Sequence, residues 1–89
     1  MRAERTVLIA NRRGLHARAS AKFVTLASSQ PVDVSVAKDG HAVTGTSIMG
    51  LMMLGAAMGD TITISAEGDG AETAVSTLAG LVEAKFGED

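Results

Sequence analysis

Within residues 32–37 apolar and polar residues alternate from Val32 to Val36. Val32, Val34 and Val36 fall on one side, Asp33 and Ser35 on the other. Period two is the spacing of a strand, and the polar side marks a wet face. Residues 61–66 repeat the pattern with Ile62, Ile64 and Ala66 turned inward. Residues 5–10, β-branched and apolar, read as a further strand. The spacing becomes helical over residues 17–28, where Ala19, Phe23, Leu26 and Ala27 share a face. It does so again over residues 71–86, where Val75, Leu78, Val82 and Phe86 form one stripe.

Turn chemistry fills the gaps. Gly14 punctuates the loop over residues 11–15, and Pro31 follows the first helix. The Asp39-Gly40 pair signals a hairpin whose return strand is His41–Thr44. Thr46 and Ser47 offer a helix N-cap before "IMGLMML", and Gly55 ends that short helix. Asp69, with Glu72 three residues on, has the spacing of a capping box, and Gly87 closes the last helix. The order is β-α-β-β-α-β-α. It predicts an α+β open-faced sandwich, an antiparallel sheet with helices on one face and water on the other.

Length and composition narrow the class. Eighty-nine residues make a single domain, 1–89, without repeats or linkers. Two Phe are the only aromatics, so the core rests on Val, Ile, Leu, Met and Ala. No cysteine is present, which excludes disulfides and thiolate metal sites and suits a reducing cytoplasm. No apolar run is long enough to cross a bilayer or to act as a signal peptide, so a cytoplasmic protein is expected.

The net charge of −2 conceals a polarity. Between Arg5 and Asp33 there is no acid, yet Arg12, Arg13, Arg18 and Lys22 lie there. From Asp60 onward seven acids face one base, Lys85. Such a distribution suits an anionic ligand or an acidic partner. Nucleic acid is disfavoured, because base-stacking aromatics are missing.

His16 falls where the first helix begins. The unpaired N–H groups of a first turn, and the helix dipole, favour an anion there, phosphate in particular. Arg18 lies in that turn and carries a forked cationic donor. Lys22 follows it at i+4, a like-charge pairing that costs roughly 0.2–0.5 kcal/mol unless an anion offsets it. Surrounding positive charge favours the neutral imidazole, whose lone pair is a nucleophile. A nucleophilic histidine in an anion site fits the acceptance of a phosphoryl group. On the residues alone two other readings stand. One is a module that binds a phosphorylated ligand at Arg18 and Lys22 without covalent change; the other is an adaptor acting through the methionine-rich helix. A surface histidine at a helix cap, with solvated arginines around it, is the plainest account of the same residues.

The motif "GLHARAS" resembles the active site of the HPr family, the histidine-containing phosphocarriers of the bacterial phosphotransferase system. "TSIMGLMMLG" resembles that family's regulatory serine region, and length, element order and motif spacing agree. The resemblance implies an HPr-like sheet of four antiparallel strands under three helices. It implies that His16 takes a phosphoryl group from enzyme I, on Nδ1, and passes it to IIA-type acceptors. Arg18 aligns with the arginine that steadies the phosphoryl group. Ser47 aligns with the serine modified by HPr kinase/phosphorylase where that enzyme exists. The carrier so implied is a monomer and not itself an enzyme. Where the family commonly has proline, this chain has Ala19, followed by Ser20. The Ala-Ser variant resembles the nitrogen-related or alphaproteobacterial branch of that family, whose carriers often serve regulation rather than sugar uptake.

Ile48, Met49, Leu51, Met52, Met53 and Leu54 cannot all face inward from so short a helix. Flexible methionines suit a surface that meets several partners. Arg12, Lys22, Ile48, Met49, Leu51 and Met52 are therefore the expected contact residues. His41 reads as a plain surface residue. Neither a metal nor a bound cofactor is expected, since two isolated histidines make no ligand cluster and no P-loop or dinucleotide fingerprint occurs.

Overall fold

The computed structural model describes residues 1–88. β1 (Arg2–Leu8), β2 (Val34–Lys38), β3 (His41–Thr44) and β4 (Thr61–Glu67) form one antiparallel sheet in the order β1-β4-β2-β3. β1 pairs with β4 along its whole length, from Arg2 opposite Glu67 to Leu8 opposite Thr61. β4 also pairs with β2, Ile64 opposite Val36, and β2 turns back into β3. The central strands are those with the cleanest alternation. Ile62, Ile64 and Ala66 of β4 and Val34 and Val36 of β2 are buried, while Thr63, Ser65 and Ser35 are not.

α1 (Ala17–Ser28), α2 (Ile48–Met53) and α3 (Ala71–Glu83) cover the apolar face. Phe23 of α1 and Leu78 and Val82 of α3 are fully excluded from water. Burying each such side chain stabilises the fold by about 1.5–3 kcal/mol. The α+β sandwich and its element order are as the pattern predicts.

Several boundaries differ, each for a local reason. β1 begins three residues earlier than expected and stops at Leu8, because its length is set by pairing with β4. Ile9 leaves the strand but is fully buried, and its amide still donates to Asp60 O at 2.8 Å. β2 starts at Val34, not Val32. The Asp69/Glu72 capping box does not form: Gly70, at φ 91°, is the N-cap of α3, and no side chain caps it. The last helix ends at Glu83. Lys85 and Phe86 then adopt left-handed conformations, at φ 59° and 55°, so Phe86 leaves the helical stripe. Its ring is nevertheless fully buried. Both are L residues where glycine is at ease, so the turn costs local strain that burial of the phenyl group offsets. This reversal sends residues 87 and 88 back toward the start of α1.

Candidate functional site

The loop before α1 is pinned at several points. Leu15 N donates to Ala56 O at 3.0 Å, and the Leu15 side chain is buried. Gly14 has φ 61°, and a Cβ placed there would lie 2.3 Å from Ala56 O. Glycine is therefore needed on two counts, backbone angle and close approach. Asn11 is fully buried, and its Nδ2 donates to Gly14 O at 2.8 Å. The loop thus delivers His16 to a fixed position.

His16 is the N-cap of α1, with extended backbone angles (φ −71°, ψ 179°). Its carbonyl accepts the first helical bond, from Ser20 N at 2.9 Å. The side chain does not cap the helix, so the N–H groups of the first turn gain nothing from it. Ser20, fully buried, donates from Oγ to Leu15 O at 3.1 Å and ties the helix to the loop that precedes it. Ala19 is fully buried as well.

The imidazole is partly covered, its side chain 17% exposed, and its Nε2 lies 2.6 Å from Glu88 Oε2. The other oxygen of that carboxylate, Oε1, accepts from Asn11 Nδ2 at 3.1 Å. These bonds, the Asn11 one foremost, hold the Glu88 carboxyl below its ordinary range, and the positive charge of Lys22 adds to the effect. An ionised carboxylate only accepts, so the proton between the two groups sits on Nε2. Nδ1 makes no hydrogen bond among the described residues, and it is not sealed from solvent.

Charge around the ring is arranged differently from the sequence expectation. The charged group bonded to the imidazole is an anion, not one of the arginines. Arg12, Arg13 and Arg18 are exposed around the loop and first turn, and none enters an ion pair among the described residues. Lys22 turns to the chain end, where Nζ donates to Phe86 O at 2.7 Å. Beside Arg18 and Lys22 runs an open, largely apolar groove that also involves Ala21, Leu26 and Leu81. Glu88 and Leu81 are the neighbours that sequence reasoning missed. The acidity of the C-terminal half was visible, but the reversal at Lys85 and Phe86 that selects Glu88 was not.

Ser47 is the N-cap of α2, and its Oγ accepts from Gly50 N at 2.9 Å. Ile48, Met49 and Met52 are exposed (41%, 68% and 42%). Leu51, expected among the contact residues, is corrected to the core: it is fully buried, because it sits on the face of α2 that packs inward. Met53, at 80%, is the most exposed residue of that helix. Among the described residues no three His, Asp or Glu side chains gather where a metal ion would bind, and no helix is long and apolar enough to cross a membrane.

The family model described as the PTS HPr component phosphorylation site matches residues 3–84. The chain belongs to the HPr family. The phosphocarrier protein HPr of Cupriavidus necator is 41% identical over 85 residues, covering 96% of each chain. The phosphocarrier protein NPr of Shewanella violacea is 40% identical, covering 96% of this chain and 93% of its own. The crystal structure of HPr-C-His from Thermoanaerobacter tengcongensis has 46% identity, covers 98% of both chains and superposes with a TM-score of 0.92. The HPr fold and the place of this chain among the phosphocarriers of the phosphotransferase system follow from these likenesses.

Proposed function

We propose that the protein is a phosphocarrier that takes a phosphoryl group on His16 from phosphorylated enzyme I and hands it to IIA-type acceptors. It turns over no substrate of its own; the phosphohistidine is transient. The observation that carries this reading is the state of the imidazole: Nε2 engaged by Glu88, Nδ1 unbonded and unsealed, at the mouth of α1. A phosphoryl group on Nδ1 would meet the unpaired N–H groups of the first turn. Arg18, exposed and unpaired among the described residues, is free to reach it as a forked donor. Phosphoryl transfer asks mainly for positioning and charge stabilisation, which these groups supply.

Arg12, Lys22, Ile48, Met49 and Met52 form the docking face in this reading, while Leu51 anchors α2 to the core. Ser47 is the regulatory serine where a serine kinase is present. Its phosphate would add about −1.5 to −2 charge at the start of α2 and repel an acidic docking surface. The protein works in the cytoplasm as a monomer. A second reading, regulatory signalling rather than sugar uptake, is favoured by the Ala19-Ser20 variant and by likeness to an NPr as near as that to an HPr.

The test is incubation with enzyme I and phosphoenolpyruvate. The chain is expected to gain one phosphate, labile in acid and stable in base, and His16→Ala to gain none. Labelling of His16→Ala at the wild-type rate would refute the assignment.

A further inference from the structure

Four features converge on Glu88. The buried Phe86 ring anchors the turn before it, and Lys22 clamps the Phe86 carbonyl. Asn11, itself fully buried, donates to Oε1. Oε2 then lies against His16 Nε2. The Asn11 amide has only one workable orientation. Its Nδ2 faces two acceptors, Gly14 O and Glu88 Oε1, and the reverse orientation would set oxygen against oxygen. That orientation leaves Asn11 Oδ1 buried without a partner among the described residues. A buried acceptor without a partner is unfavourable, so the amide is committed to its two bonds at the expense of its own oxygen. Glu88 is thus placed by a built arrangement, not by a wandering chain end.

We propose that Glu88 is a positioning residue for phosphoryl transfer: by accepting from Nε2–H it keeps His16 in the tautomer whose lone pair is on Nδ1. This rests on the reading of His16 as the acceptor. In the transfer, the Nδ1 lone pair forms the N–P bond while the bond from phosphorus to the donor breaks, its electron pair leaving with the donor. The ring retains its Nε2 proton and gains positive charge, and the Glu88 carboxylate faces that charge. No proton has to leave the imidazole, and none has to be found when the phosphoryl group moves on. A carboxylate that orients an imidazole and stabilises its cation plays the part that the buried aspartate plays toward the histidine of serine proteases. Asn11 acts one step further back, by holding Glu88.

Two measurements on the full chain test this. Nitrogen NMR of unphosphorylated protein, labelled at histidine, reads the tautomer of His16 directly at a pH where the ring is neutral. Wild type is expected almost wholly as the Nε2–H form, and Glu88→Ala as a mixture. Glu88→Gln, whose amide oxygen still accepts, is expected to keep the wild-type tautomer without the charge. Rapid-mixing kinetics with phosphorylated enzyme I then give the transfer rate. Glu88→Ala is expected to be about tenfold slower, the equivalent of one charge-assisted bond, with Glu88→Gln in between. An unchanged tautomer in Glu88→Ala, or an unchanged transfer rate, overturns the proposal. If wild type takes up no phosphate at all, the acceptor reading fails. The tautomer comparison, which needs no donor, still decides whether Glu88 sets the ring.

Discussion

Lys22 Nζ donates to the carbonyl of Phe86 across 2.7 Å. A helix cation that the sequence assigns to an incoming anion is thus spent, in part, on the chain's own end. The bond falls at the residue whose left-handed backbone reverses the chain, so it holds the turn that aims Glu88 at His16. Lys22→Met keeps most of the aliphatic stem and removes the donor. It is expected to cost about 1 kcal/mol, as one part-buried hydrogen bond does. Amide exchange at Gly87 and Glu88 is expected to quicken while α1 and α3 stay protected. Hydrogen exchange followed by NMR checks this, and equal protection of the two amides in both proteins would contradict it.

Much of the fold was legible because its signals are local. The alternation of Val34 and Val36 with Ser35, or the run Ile62, Ile64 and Ala66, can be satisfied only by a half-covered strand. The Asp39-Gly40 hairpin and the Ser47 cap depend on neighbours one to three residues away. What failed depends on distant partners. The span of β1 is set by β4, some sixty residues along the chain. Phe86 matches the helical stripe by spacing, yet reaches the core only through a kink at Lys85 that no propensity favours. His16 and Arg18 could be singled out from their motif. The carboxylate that completes the site lies 72 residues from His16, and only the packed structure brings it there. The Leu51 correction has the same origin: in "IMGLMML" every position is apolar, so composition alone cannot say which one faces inward.

Ser47 separates a capping role from a charge role. Ser47→Ala removes the acceptor for Gly50 N and is expected to destabilise the protein by about 1 kcal/mol. Aspartate caps as well as serine does, so Ser47→Asp is expected to keep wild-type stability. It nevertheless places a negative charge beside the face proposed for docking, and uptake of phosphate from enzyme I is expected to slow. Urea midpoints and transfer rates, measured on both variants, are expected to rank them in opposite orders.

Leu51 and Met49, two residues apart on α2, make a second contrast. Leu51 is fully buried and Met49 is 68% exposed. Leu51→Ala opens a cavity under α2 and is expected to cost about 2–5 kcal/mol. Met49→Ala is expected to change stability by less than about 0.5 kcal/mol. Affinity for enzyme I is expected to fall for Met49→Ala at a temperature where both variants are folded. Calorimetric melting and titration of enzyme I together decide it. Loss of stability in Met49→Ala would place that side chain in the core instead.

The contact between Glu88 and His16 carries its own pH signature. Bonds from Asn11 and His16 lower the Glu88 carboxyl, and the positive charges of His16 and Lys22 act in the same direction. A carboxyl lowered on folding contributes stability above its unfolded pKa, near 4.3, and that contribution is lost as pH falls through the lower, folded value. Glu88 is therefore expected to stay seated at neutral pH and to release only in acid. The carbon signal of the Glu88 carboxyl, followed against pH, is expected to turn at a lower pH in folded protein than in the same chain unfolded in urea. High salt screens the contribution of Lys22 but leaves the bonds from Asn11 and His16, so the difference is expected to shrink without vanishing. Asn11→Ala removes the largest cause and is expected to bring the folded midpoint back toward the unfolded one. Equal midpoints in folded and unfolded wild type would mean that Glu88 does not rest on His16 in solution.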